Sequence, residues 1–282
     1  AARYSGAAPL FVFFDAIATD DSTMSATNQE FRDLEYTWSF VDSGSGTWTT
    51  TGLSKNSATG PVAAHVFETA GTSAPTLSVK NVAGDTCSVT LSNITVTAAD
   101  TQWSATTRCI STSGTFTGCP ISCPSADCVT SSDFDASVSG AITAGARRIL
   151  LRGGESFASG TTVSIATAGP GLLGAFGTGK PTITTSIDTP LSVSSSSTDW
   201  RISDLILVGP GTNSFDNVGI ANNGAPVQML LLRNSISGFY RGLLFNHGTT
   251  ENDQIGIVDN YVETGVIATG PYGMYLAMER GG

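Results

Sequence analysis

Beyond residue 139 the chain consists of short apolar runs that recur with Gly or Asn between them, and this rhythm narrows the folds open to it more than any other feature. Examples are Ile149-Leu150-Leu151, Val163-Ser164-Ile165, Leu191-Ser192-Val193 and Ile255-Gly256-Ile257-Val258. Recurrence of this kind marks a repeat architecture. Three segments align without gaps: Ile202-Ser203-Asp204-Leu205-Ile206, Leu232-Arg233-Asn234-Ser235-Ile236 and Val258-Asp259-Asn260-Tyr261-Val262. The alignment places Asp204, Asn234 and Asn260 in one column, 30 and then 26 residues apart, followed by Ile206, Ile236 and Val262. A second match sets Tyr240-Arg241-Gly242-Leu243-Leu244-Phe245 against Pro271-Tyr272-Gly273-Met274-Tyr275-Leu276. One arrangement accounts for both. Each repeat is a coil of short strands, stacked so that every strand pairs with its equivalent one rung away. Equivalent apolar side chains then stack inside, and Asp204, Asn234 and Asn260 form a structural ladder of turn hydrogen bonds.

Composition supports an all-β reading. Ser and Thr make up about a quarter of the 282 residues, Gly contributes 32, and charged residues only 13%, against about 25% in an ordinary domain. Strong helix formers are scarce, which excludes an all-helical fold. The net charge of −10 opposes nucleic-acid binding and simple electrostatic capture of acidic polymers. Hydrophobic residues, at 40%, are too many for a disordered chain. No apolar run approaches the ~18 residues of a membrane span. The strongest, Pro9-Leu10-Phe11-Val12-Phe13-Phe14, is ended by Asp15 and suits a buried strand. Without an initiator Met or a basic-then-apolar leader, the sequence reads as a processed or excised product.

Residues 1–100 have a different texture. Short alternating segments near 10–16, 36–41, 62–67, 76–79 and 87–96 are separated by Gly- and Ser-rich turns and predict a β-sandwich. Residues 101–138 read as a Cys-rich disulfide linker, and 139–282 as the coiled region. Cys109, Cys119, Cys123 and Cys128 are spaced C-x9-C-x3-C-x4-C. That spacing is irregular for a zinc knuckle and both His residues lie elsewhere, so disulfides are expected, with three pairings open. Cys87 is the odd one, expected buried in a strand unless it pairs into the loop. Disulfides imply an oxidising setting and a secreted or cell-surface protein.

Particular stretches carry family resemblances. Ala8-Pro9-Leu10-Phe11-Val12-Phe13-Phe14-Asp15-Ala16, Tyr36-Thr37-Trp38-Ser39-Phe40-Val41-Asp42 and His65-Val66-Phe67 with Ala70-Gly71-Thr72 resemble the opening strand, the central aromatic strand and the His-x-Phe…Ala-Gly-Thr segment of PKD domains. The Gly usual after the Phe is Val41 here. This resemblance implies an Ig-like extracellular spacer or carbohydrate-associated module and no catalysis. Arg147-Arg148-Ile149-Leu150-Leu151-Arg152-Gly153-Gly154 and Gly171-Leu172-Leu173-Gly174-Ala175-Phe176 are similar to the first coils of right-handed parallel β-helix proteins of the pectate-lyase-like kind. The end of the chain, straight after a strand, predicts either a continuing chain or a covering subunit, and so a homo-oligomer or filament.

Candidate chemistry is sparse. Arg233, Arg241 and His247, the last grouped with Glu251 and Asp253, are the candidates for proton abstraction from a polysaccharide, with Arg233 and Arg241 expected to share a face. Tyr240, Tyr261 and Tyr272 are candidate carbohydrate-binding residues. Asp15, Asp20, Asp21 and Asp100 are a candidate Ca²⁺ set if the first and last sandwich strands are neighbours. No other cofactor is implied. His65 is expected to be a structural, hydrogen-bonded histidine. The leading expectation is an extracellular structural or adhesive protein whose partners are polysaccharide or other surface subunits. A lyase or glycosidase acting along the β-helix and a viral or phage surface spike are the alternatives.

Overall fold

The structure, a computed structural model, describes residues 3–21, 33–123, 125–194, 196–212, 214–223, 228–247, 254–264 and 272–278. The chain forms two compact units, Ala1–Gln102 and Trp103–Gly282.

The first unit contains β1 (Ser5–Ala7), β2 (Leu10–Asp15), β3 (Glu35–Ser39), β4 (Ser57–Thr59), β5 (Val62–Phe67), β6 (Gly71–Ser73), β7 (Thr76–Lys80), β8 (Thr86–Thr90) and β9 (Ile94–Thr97). They pair as β1-β9-β6, β2-β5 and β4-β3-β7-β8. Alternation sends Leu10, Val12 and Phe14 of β2, Tyr36 and Trp38 of β3, Phe67 of β5 and Ile94 of β9 into one core. Trp38 satisfies its indole N–H on the Gly60 carbonyl at 2.8 Å. His65 is buried on the same inward face. Its Nε2 lies 2.9 Å from Asp42 Oδ2 and its ring stacks on Phe40 with centroids 4.4 Å apart. The segment expected as one strand near 87–96 is two strands in different sheets, β8 and β9. Cys87 is correspondingly not buried. It lies in β8, an edge strand exposed along its whole length. Val41 adopts φ 54° where a Gly is usual in the resembled family, a conformation uncommon for a β-branched residue.

Among the described residues the second unit is a parallel β-solenoid of five coils, each contributing one strand to each of three sheets. The coils are β12 (Arg148–Arg152), β13 (Ser156–Ser159), β14 (Val163–Ile165); β15 (Gly171–Phe176), β16 (Thr182–Thr185), β17 (Leu191–Ser194); β18 (Trp200–Ser203), β19 (Ile206–Val208), β20 (Val218–Asn223); β21 (Met229–Leu232), β22 (Ser235–Phe239), β23 (Arg241–His247); and β24 (Ile255–Val258), β25 (Tyr261–Thr264), β26 (Tyr272–Met278). The preceding strands β10 (Thr107–Ser111) and β11 (Cys128–Thr130) extend the first sheet, giving β11-β10-β12-β15-β18-β21-β24. The second sheet is β13-β16-β19-β22-β25 and the third is β14-β17-β20-β23-β26. Every pairing in the three sheets is parallel, the arrangement of a right-handed parallel β-helix. Inside, Phe157, Ile183, Leu207, Ile236 and Val262 stack in register, as do Ile149, Leu173, Ile202 and Leu231. Each fully buried side chain of this kind contributes about 1.5–3 kcal/mol. The match of Arg241–Phe245 with Tyr272–Leu276 is the observed β23–β26 register.

The other alignment needs a correction. Ser203 pairs with Leu232 and Leu232 with Val258. Asp204, Arg233 and Asp259 are therefore equivalent, and Leu205 is the partner of Asn234 and Asn260. All three members of the Asp204 column have positive φ, at 59°, 54° and 55°. They open the two-residue corner between the first and second sheets. The true ladder holds two asparagines. Asn234 Nδ2 donates to Asn260 Oδ1 and to the Ile202 carbonyl, each at 2.9 Å, while Asn234 Oδ1 accepts the Leu205 N–H at 3.2 Å. Asn260 Nδ2 donates in turn to the Leu231 carbonyl at 2.8 Å. Asp204 instead accepts from the Arg233 guanidinium, Nε to Oδ1 at 2.7 Å and Nη2 to Oδ2 at 3.0 Å.

The segment expected as a linker lies within the second unit. Besides β10 and β11 it begins a helix, Phe134–Thr143. Asp133 caps that helix by accepting the Ala136 N–H at 2.9 Å. Phe134, Val138 and Ala141 join the solenoid core with Ile149, Phe157 and Val163. Asp135 fixes the helix to the first coil by accepting from Ser159 Oγ and from the Gly160 and Thr161 N–H groups at 2.6–2.7 Å. The disulfides are Cys109–Cys119 and Cys123–Cys128.

Candidate functional site

The outward side chains of the second sheet form a regular, half-exposed surface. Because side chains alternate, Phe157, Ile183, Leu207, Ile236 and Val262 turn inward and their neighbours turn out. Ser156, Thr182, Ile206, Ser235 and Tyr261 make one outward column, and Ala158, Thr184, Val208, Ser237 and Glu263 the next. Successive members of a column are about 4.8 Å apart. These five strands contain no Lys or Arg, and their one carboxylate is Glu263. At the helix-capped end a shallow groove of about 370 Å³ crosses this surface, lined by Ser132, Ser156, Ala158, Thr184 and Ser186 among others. Tyr261 is 60% exposed on the last coil, its hydroxyl 3.4 Å from Glu263. Hydroxyls both donate and accept, and Ile206 and Val208 add apolar patches between them. Such a surface can hydrogen-bond and pack against a neutral polyol. Its strands hold no Lys or Arg to neutralise a carboxylate, and Glu263 is their one carboxylate.

The other candidates lie apart from this surface. Arg233 sits at the corner between the first and second sheets, paired with Asp204, and Lys180 Nζ donates to its carbonyl. Arg241 sits at the far end of β22, at the corner between the second and third sheets. The two arginines do not share a face, because the whole strand Ser235–Phe239 separates them. Arg241 is 5% exposed and lies over the Phe215 ring at 3.8 Å. Tyr240 meets the same ring edge-on, with centroids 6.1 Å apart. Only the backbone of His247 and of Tyr272 is described, and Glu251 and Asp253 lie outside the described residues.

In the first unit, Asp15 accepts the Ile17 N–H at 2.8 Å. Asp20 and Asp21 line a cavity of about 360 Å³ with Asn81 and Asp85. Asp100 stands in the helical turn Ala99–Gln102. The four expected calcium ligands form no common set among the described residues. There, the one grouping of three or more metal-binding side chains is Cys119, Cys123 and Cys128.

Two arrangements had no sequence signal. Glu155, 12% exposed, is held by Ser113 Oγ, Ser111 Oγ and the Thr112 N–H, with Arg152 Nε 3.4 Å away. Burial raises its pKa, but the Ser113, Thr112 and Ser111 hydrogen bonds outweigh that, and its carboxyl lies below the usual value. Arg201, 2% exposed, is paired with Asp199 and lies 5.7 Å from the Trp103 ring centroid.

These features define the class: an almost all-β chain whose larger unit is a parallel β-solenoid with a hydroxyl-lined outer sheet. No family model matches the chain, and no curated protein or solved structure is significantly similar to it. No helix among the described residues is long and apolar enough to cross a membrane.

Proposed function

We propose that the protein is an extracellular structural or adhesive module that binds neutral polysaccharide along the outer surface of its second solenoid sheet, without cleaving it. The observation that carries this reading is the repeated outward Ser/Thr pattern, Ser156, Thr182-x-Thr184 and Ser235-x-Ser237, on a surface without cations. A flexible polymer lying across the rungs meets paired hydroxyls on the second and fourth coils and apolar Ile206 and Val208 between them, so weak contacts add along its length. The absence of Lys and Arg from this sheet and the net charge of −10 favour an uncharged glycan over a polyuronate. The PKD-like motifs and the two disulfides support a place outside the cell.

The test is affinity electrophoresis and glycan-array binding with neutral glucans and with polyuronates, using the full chain and a Thr184→Glu, Ser237→Glu double variant. Retardation by a neutral glucan, lost in the double variant, is expected. Equal retardation of both proteins would sink the assignment of this surface. A fall in polymer length or a rise in unsaturated-product absorbance would point to an enzyme instead.

A further inference from the structure

We infer that the four cysteines at the start of the solenoid are a latent zinc site, filled when the disulfides are reduced. The chain returns to one place four times. Cys109 of β10 and Cys128 of β11 are direct register partners on neighbouring parallel strands, and the loop between them carries Cys119 and Cys123. The Sγ atoms of Cys119, Cys123 and Cys128 all lie within 4.8 Å of one another, and Cys109 is bonded to Cys119. A tetrahedral thiolate site with Zn–S near 2.3 Å requires sulfur separations of about 3.8 Å; three of the four sulfurs already lie near that spacing, and Cys109, adjoining them through Cys119, has to turn toward the other two once its disulfide opens. Two disulfides require sulfurs to be close in pairs. They do not require the pairs to adjoin, and here they do.

The surroundings suit a metal. Ser125 Oγ lies 3.7 Å from Cys128 Sγ, placed to donate to a thiolate, the kind of outer partner that orients ligands. The loop has a second anchor, since Glu155 accepts from Ser111, Thr112 and Ser113. That cage does not depend on the sulfur bonds and can hold the loop in place after reduction. The chemistry balances. A dithiol or phosphine reductant supplies two electrons per disulfide, leaving four thiols. Zn²⁺ then displaces four protons to give a tetrathiolate.

The experiment uses the full chain, oxidised or treated with a phosphine under anaerobic conditions, titrated with Co²⁺ and then Zn²⁺. The reduced protein is expected to bind one metal ion per chain, with the d–d bands of tetrahedral thiolate-bound cobalt, and the oxidised protein none. Cys119→Ser should weaken binding by more than about 100-fold, beyond the 10- to 100-fold typical of losing an outer-shell partner. Cys87→Ser should leave binding unchanged. If reduction lowers the β-sheet circular dichroism, Zn²⁺ should restore it. The inference is overturned by a reduced chain that takes up no metal, by a lost signal that Zn²⁺ does not restore, or by uptake that Cys119→Ser leaves intact. None of these outcomes bears on glycan binding.

Discussion

Replacing Asn234 by Leu separates the observed register from its one-residue neighbour. Leu205 occupies the equivalent position one coil earlier, so a Leu side chain has a precedent there and steric conflict is not the main effect. What is lost is hydrogen bonding. Asn234 is 1% exposed and satisfies the Leu205 N–H, the Ile202 carbonyl and one contact of Asn260 Oδ1. The Asn260 oxygen keeps its bond from the Asn234 N–H at 2.9 Å, which leaves two backbone groups orphaned. At about 1–3 kcal/mol each, less about 1 kcal/mol regained from the added apolar surface, the net loss is roughly 1–5 kcal/mol. Asp204→Asn is the control. It removes only a partly exposed ion pair with Arg233 and keeps a residue tolerant of positive φ, so its cost is about 1 kcal/mol or less. Urea unfolding, followed by circular dichroism and by tryptophan fluorescence, gives both numbers. The reasoning fails if Asn234→Leu lies within about 0.5 kcal/mol of the parent, or if Asp204→Asn costs as much as Asn234→Leu.

Further predictions follow from other buried groups. His65 has its pKa lowered by burial, against the opposing pull of the Asp42 carboxylate. The unfolded state therefore binds the proton more tightly. This contribution is present above the ordinary histidine value of about 6.5 and is lost as pH falls from there through the folded value. The urea midpoint of the first unit should drop between about pH 7.5 and 5.5, and a midpoint that rises, with the His65 ring signal titrating above 6.5, would contradict it. Glu155→Gln should cost about 2 kcal/mol at neutral pH by weakening the charge-assisted bonds from Ser113, Thr112 and Ser111. In the parent this contribution is present above the ordinary glutamate value and is lost as acid takes the pH through the lowered folded one; unchanged acid unfolding in the variant would count against the cage. Gly171→Ala would place a Cβ 2.5 Å from the Trp200 indole. A loss of at least about 2 kcal/mol with altered Trp200 fluorescence is expected, and a neutral result would mean the first sheet yields there.

Much of this architecture was legible in residue order, and the failures have identifiable physical causes. The all-β class and the stacking of coils followed from recurring apolar runs. The register slipped at Leu205-Ile206-Leu207-Val208 because a continuous apolar run offers no alternation to fix which residues face inward. Asp204 also resembles Asn chemically, while the positive φ shared by Asp204, Arg233 and Asp259 selects no single residue type. The helix Phe134–Thr143 was readable, with a capping Asp133 and apolar residues at 134, 138, 141 and 142. The adjoining cysteines mask it, because a stretch rich in Cys, Ser and Pro has the texture of a linker. Cys87 has the alternating neighbours of a buried strand, and only the sheet order shows β8 at an edge. The placement of Phe215 over Arg241 depends on how a corner loop folds back on the next coil, and no local pattern encodes that.

The two-residue corner has an evolutionary consequence. Ser203 and Leu232 occupy the same place in consecutive rungs, and each is followed by a left-handed residue. Excising 204–232 would join Ser203 to Arg233 with no change of backbone course, and duplicating the same stretch would be equally seamless. Genetic gain or loss at this joint would shorten or lengthen the protein in whole rungs, like moving a stop along a ruler.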